Sequence, residues 1–205
     1  MEPLNQIDKN RVVAVSKLQP VELIRSVYAK GFRHFGENYV QEALKKIQST
    51  EDLKIKWHFI GTLQRNKIKH IIGKFEYIHS IESVGQIRLL NERSEAADLC
   101  QKIFLQVNIA NEATKSGFSA QLLQSEFKAI QNFKNTEVVG LMTMPPLSNL
   151  PEENRPHFKA LRNLAAQFGL KELSMGTSHD YKIALEEGAT WVRLGTVLFG
   201  ERTRS

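Results

Sequence analysis

Lys17 closes the run Arg11-Val12-Val13-Ala14-Val15-Ser16-Lys17, and an amine at the end of a β-branched apolar stretch is a nucleophile in a usable place. A near-continuous Val pattern belongs to a strand buried on both faces, as in parallel α/β sheets, which carry their chemistry at the C-terminal strand ends. Two other stretches could bind an anion. Met175-Gly176-Thr177-Ser178-His179-Asp180 and Arg193-Leu194-Gly195-Thr196 each join a glycine, which lets backbone approach a ligand closely, to a hydroxyl and adjacent N–H groups. Plainer readings stand beside these: Ser178 as a helix cap, Gly195 as a turn, and Lys17 as a surface lysine whose stem lies along apolar neighbours.

The elements that must position these residues alternate. Arg11–Lys17 reads as a strand, followed by a helix from Pro20 with Ile24, Val27 and Tyr28 on one face and Gly31 as its stop. Phe32–Gly36 is a second strand, and Tyr39, Val40, Ala43, Leu44 and Ile47 mark the next helix face. Trp57–Gly61 and Tyr77–Ile81 read as strands on either side of a basic helix from about Gln64 to Ile72. Lys102–Ile109 and Glu137–Met144 are strands around a helix carrying Leu122, Leu123, Phe127 and Ile130. Four of the six prolines (Pro145, Pro146, Pro151, Pro156) make the next connection a loop, before a helix with Phe158, Leu161, Leu164, Ala165 and Phe168 inward. Glu172–Met175 and Thr190–Leu194 are the last strands, with a helix ending near Gly188 between them. Eight strands alternating with helices predict a (β/α)8 TIM barrel; an open doubly wound sheet is the alternative, and no Gly-x-Gly-x-x-Gly follows the first strand to favour it.

In such a barrel the loops after strands seven and eight commonly form a phosphate site. A phosphate site facing a lysine on strand one suits a ligand with a phosphate at one end and a carbonyl at the other. Pyridoxal 5'-phosphate (PLP) has both, and Lys17 would hold it as a Schiff base, its amine made partly neutral by a dry, cation-rich pocket.

Composition bounds the rest. A chain of 205 residues with 41% hydrophobic content builds one sizeable core, so a single domain over 1–205 is expected, with 1–10 as a short polar extension. The balance of 28 Lys and Arg against 22 Asp and Glu would suit an anionic ligand, a nucleic acid or simple solubility. The basic face of Lys67, Lys69, His70 and Lys74 has no interleaved aromatics, so no nucleic-acid partner is expected. The single cysteine, Cys100, builds neither a disulfide framework nor a thiolate zinc site, which fits a reducing cytoplasm. His34, His58, His70, His79, His157 and His179 show no helical metal spacing; no metal is expected, and His58 and His79 read as hydrogen-bonded barrel residues. No signal-like or membrane-spanning apolar stretch is present in the sequence, so a cytoplasmic protein off the membrane is expected.

Val13-Ala14-Val15-Ser16-Lys17, Phe35-Gly36-Glu37-Asn38-Tyr39, Trp57-His58-Phe59-Ile60-Gly61 with Leu63-Gln64-Arg65-Asn66-Lys67, Leu173-Ser174-Met175-Gly176 and Arg193-Leu194-Gly195-Thr196 resemble, in order from about Arg11 to Gly200, the pyridoxal-phosphate homeostasis protein family. The resemblance implies the barrel of the alanine racemase N-terminal domain and a Schiff base at Lys17. It further implies that Asn38 and Met175 line the cofactor, that Ser178, Gly195 and Thr196 hold its phosphate, and that Arg193 lies near the pyridine nitrogen. A fixed cation there opposes ring protonation and weakens the electron sink that carbanion chemistry needs. Two departures stand out: only about ten residues precede Arg11, where the family carries a further helix, and Thr177 and His179 replace the usual Met and acid around Ser178. A protonated His179 facing the ligand would favour a phosphate dianion and make its retention pH-dependent.

The expectation is therefore a PLP carrier serving intracellular homeostasis, a monomer with no catalytic residues, with apo forms of PLP enzymes as prospective recipients. A PLP-dependent racemase is the alternative. It needs acid-base groups on both faces of the substrate, one from a second domain, and no residues after the eighth unit remain to build one. A lysine aldolase on the same barrel finds no other support in the sequence.

Overall fold

The computed structural model describes residues 7–110, 112, 115–146 and 148–200; Met1–Gln6 of the N-terminal extension and Glu201–Ser205 lie outside them. Eight strands, β1 (Val12–Val15), β2 (His34–Glu37), β3 (Lys56–Phe59), β4 (Tyr77–Ile81), β5 (Gln101–Gln106), β6 (Thr136–Met142), β7 (Glu172–Thr177) and β8 (Trp191–Leu194), close into a parallel barrel in sequence order. The expected (β/α)8 barrel is thus the observed one. Around it run α1 (Val21–Ala29), α2 (Val40–Ser49), α3 (Ile68–Ile71), α4 (Val84–Ala96), α5 (Ala120–Ile130), α6 (Arg155–Gln167), α7 (Tyr181–Glu186) and α8 (Thr196–Phe199).

The two-residue period of a strand splits each stave between two cores. Val12, Ala14, Phe35, Phe59, Ile78, Ile103, Leu105, Leu141, Leu173 and Val192 join the large cluster under the helices, with Ile24, Ile68, Ile87 and Leu161. Val13, Phe104, Met142 and Trp191 form a separate small cluster in the lumen. Most of the apolar stabilisation therefore sits outside the staves, leaving the lumen able to hold polar groups.

The boundaries differ from the sequence reading in informative places. Arg11 belongs to a 3-10 turn (Lys9–Arg11) rather than to β1. The basic helix expected from about Gln64 to Ile72 is a 3-10 turn (Arg65–Lys67) followed by the single-turn α3. Pro156 is not loop but lies in the first turn of α6, where its missing N–H has no helical partner to lose. The sequence reading left α4 unnamed because Gln86 and Ser94 are buried among its apolar positions Ile87 and Leu90 and blur the periodicity. Its start was nevertheless signalled: Ser83 accepts from Gln86 N, and Gln86 reaches back to Glu82 N.

One glycine is required by barrel closure. A Cβ on Gly140 of β6 would stand 1.9 Å from the carbonyl oxygen of Glu172 on the paired stave β7. Gly140→Ala is expected to destabilise the fold by about 1–3 kcal/mol, read as a lower urea midpoint at unchanged slope.

Candidate functional site

A cavity of about 500 Å³ opens at the C-terminal ends of the staves, within the size range of small-molecule sites. Val15 of β1 with Lys17 in the turn after it, Asn38 after β2 and Ile60 after β3 form one side; Thr177 at the end of β7, Ser178 and His179 after it, and Arg193, Gly195 and Thr196 of β8 and its loop form the other, and Met144 after β6 joins them. Six of the seven residues singled out in the sequence therefore line one space. The seventh, Met175, does not: it is fully buried in the cluster beneath the helices. Its neighbour Ser174 faces the lumen, and adjacent strand residues face opposite ways. Met144 supplies the methionine at the cavity instead.

Lys17 is held from behind by an ionic cluster on the helix side of the barrel. The ammonium of Lys46 on α2 donates to Ser16 O at 2.6 Å, to Glu37 Oε1 at 2.8 Å and to Glu42 Oε1 at 2.5 Å. Ser16 Oγ donates to Glu37 Oε1 at 2.6 Å, and the N–H of Leu18 donates to Glu42 Oε1 at 2.6 Å. Both residues flanking Lys17 are thus anchored to one cluster, and Leu18 keeps a left-handed φ of 60°. Glu37 is fully buried, and its Oε2 has no hydrogen-bond partner among the described residues. Burial raises its carboxyl above the usual range, against the opposing pull of Lys46 and Ser16. Sequence reading missed this cluster, although the Glu42–Lys46 spacing on one helix face signalled part of it.

The anion-binding side is also preorganised. Gly195 N–H donates to Ser178 Oγ at 2.9 Å, tying the β7 and β8 loops together and leaving the serine hydrogen for another acceptor. A Cβ on Gly195 would meet nothing in the protein closer than Val15 Cβ at 3.8 Å, so the space this glycine leaves is cavity space. The N–H groups opening α8 follow directly, without helical partners.

Arg193 contributes charge. Its guanidinium donates to Ser174 Oγ at 2.6 Å and to Thr143 O at 2.9 Å. Burial lowers it to about 10, so it stays cationic at neutral pH. His179, at the exposed edge of the cavity, lines the same wall as Ser178. An amine, a buried cation and a set of N–H and hydroxyl donors therefore converge, a combination suited to an anionic carbonyl compound. No cluster of three or more metal-ligating side chains occurs among the described residues, and none of their helices is long and apolar enough to cross a membrane.

The chain matches, over residues 4–203, the family model described as alanine racemase, N-terminal domain. It is 42% identical over 198 residues to the pyridoxal phosphate homeostasis protein of Aquifex aeolicus, covering 94% of this chain and 87% of that one. The protein of the same name from Schizosaccharomyces pombe is 38% identical over 200 residues, covering 93% and 84%. Among solved structures, PipY of Synechococcus elongatus without PLP aligns with a TM-score of 0.91 at 36% identity over 96% of each chain, and with PLP bound at 0.89 and 35%. An alanine racemase of Clostridium difficile, 13% identical with a TM-score of 0.77 over 97% of this chain and 54% of that one, shares the fold.

The cluster behind Lys17 makes a signed prediction. A carboxyl whose folded pKa is raised contributes most below its unfolded value, and that contribution is lost as pH rises through the folded one. Lys46→Met removes the cation and leaves Glu37 buried without its counter-charge, so we expect a loss of about 3–5 kcal/mol at neutral pH, partly recovered on mild acidification as Glu37 takes up a proton. Urea unfolding at both pH values measures this; equal losses at the two would contradict it.

Proposed function

The chain belongs to the pyridoxal phosphate homeostasis protein family, and from that premise we propose that it is an intracellular carrier that holds PLP in the cavity as a Schiff base with Lys17. The observation that carries this is the convergence of Lys17 with Ser178, Gly195 and Thr196 on one cavity built from stave ends. PipY, which adopts the same fold at about a third identity, has been solved with PLP bound. The bound cofactor supplies an aldehyde that condenses reversibly with a primary amine.

The chain's own residues do the rest. Lys17 offers the amine from a backbone fixed on both sides by Glu37, Glu42 and Lys46. Ser178, whose oxygen accepts the Gly195 N–H, donates its remaining hydroxyl hydrogen to the phosphate alongside the N–H of Thr196, in the space that Gly195 leaves open. Asn38 would line the cofactor from the β2 side. Arg193, fixed by Ser174 and Thr143, would set a positive charge toward the ring nitrogen and so oppose its protonation. Such a site retains the aldehyde and gives little support to carbanions, which favours a carrier over a racemase. Apo forms of PLP enzymes are the recipients this role implies, and Met175 contributes by packing β7 against its helices rather than by contact.

The test is the absorption spectrum of the purified protein with added PLP, before and after borohydride. A visible band that borohydride abolishes, and that Lys17→Ala lacks, is the expected result; an identical band in Lys17→Ala overturns the assignment. Ser178→Ala is expected to weaken PLP binding by about tenfold, the loss of one hydrogen bond to a charged group. Amino-acid racemisation by the saturated protein should not exceed the rate of free PLP, and turnover clearly above it would select the enzyme.

A further inference from the structure

Four hydrogen bonds run in series across the lumen beneath the cavity. His34 Nδ1 lies 2.8 Å from His58 Nε2, and His58 Nδ1 lies 2.8 Å from His79 Nε2. His79 Nδ1 lies 2.8 Å from Ser174 Oγ, which accepts from Arg193 Nη1 at 2.6 Å. The members come from β2, β3, β4, β7 and β8, and since β4 and β7 are not neighbours in the barrel, the His79–Ser174 bond spans its interior. All five are buried.

The direction of this chain follows from its end. A guanidinium only donates, so Ser174 Oγ is an acceptor toward Arg193. The serine has one hydrogen, and among the described residues His79 Nδ1 is the other side-chain atom bonded to its oxygen. A buried hydroxyl hydrogen without an acceptor is unfavourable, so it goes to His79 Nδ1. A neutral imidazole that accepts at Nδ1 carries its hydrogen at Nε2, and therefore donates to His58 Nδ1. The same rule then fixes His58 as a donor to His34. Burial keeps the rings neutral, His34 lowered to about 4 and His58 and His79 well below the usual range.

We propose that His79, backed by His58 and His34, is a positioning residue for Arg193: a one-way relay of Nε2–H rings that turns the Ser174 hydrogen away from the guanidinium and fixes the charge at the cavity floor. In the reversed order His79 would donate to Ser174, filling the second lone pair of its oxygen and stranding the hydroxyl hydrogen. The consequence for bound PLP rests on the carrier reading above, whereas the direction of the relay does not.

The test uses the 205-residue chain labelled with 15N, in long-range 1H–15N spectra without added cofactor, and a separate titration with PLP. Three of its histidines should show a pyrrole-like Nε2 and a pyridine-like Nδ1 from mildly acidic to neutral pH. Ser174→Ala should mix their tautomers, and Ser174→Thr, which restores a hydroxyl, should recover the bias. His79→Leu should broaden or abolish the Arg193 Nη–H signals and weaken PLP binding by roughly tenfold, while His79→Asn, which keeps an acceptor, should restore both. Nδ1–H or mixed tautomers in the wild type, or His79→Leu matching His79→Asn in the Arg193 signals, would overturn the relay. A protein that binds no PLP but shows the expected tautomers would overturn the carrier reading alone.

Discussion

The site exists because β1 pairs with β8. Lys17 lies near one end of the chain and the Arg193–Thr196 segment near the other, and the parallel register Val13 to Arg193 and Ala14 to Leu194 makes them neighbours. Closure turns a distant pair of motifs into adjacent walls of one cavity. It also removes the sheet edges, so that every stave spends its backbone groups on its neighbours and the stave ends alone are left to meet a ligand. Residues such as Gly140, where no side chain fits between staves, serve this function indirectly by letting the ring close.

Closure sets two buried charged groups on opposite faces of the staves. On the helix side, Lys46 sits between Glu37 and Glu42 beside the backbone of Ser16 and Leu18. A buried pair of this kind adds little net stability, because desolvation offsets most of the attraction. Its value lies in what it grips: two hydrogen bonds to the backbone on either side of the amine. In the lumen, by contrast, no carboxylate among the described residues is hydrogen-bonded to Arg193. Its charge is stabilised by neutral dipoles, Ser174 and Thr143 O, with Asp180 acting from a distance. An unquenched cation keeps its field for the cavity, where low dielectric strengthens it.

Much of this was legible in the sequence, and what was not has identifiable causes. Lys17, Asn38, Ser178, Gly195 and Thr196 could be placed because a strand end is a position that composition reveals: an apolar run stops and polar or small residues begin. Arg193 lies within β8, near its end, and pattern placed its stretch at the cavity; its role beside a pyridine nitrogen is implied by the family resemblance alone. Met175 was misplaced although parity alone would have corrected it: once Ser174 faces the lumen, Met175 must face the helices. The helix α4 was obscured by polar side chains that are buried for their hydrogen bonds, Gln86 reaching Leu63 O among them. The Glu37–Lys46 pair and the histidine series were beyond pattern reading, because each joins residues that only the closed ring brings together.

The backbone at Lys17 shows how the two charge systems cooperate. Leu18 adopts a conformation that side chains disfavour, and it does so while 62% exposed. Strain persists where the surroundings over-determine it, and here the Leu18 N–H is held by Glu42, which is itself held by Lys46. The backbone that carries Lys17 is therefore fixed at the rim of the cavity that Arg193 and the β7 and β8 loops also line. A covalent tether formed from a preorganised amine loses less freedom on forming, and a ring set against a fixed cation gains little reactivity once held. In the carrier proposed above, ready capture would rest on the Glu37–Lys46 cluster on the helix side of the staves, and weak activation on Arg193 in the lumen.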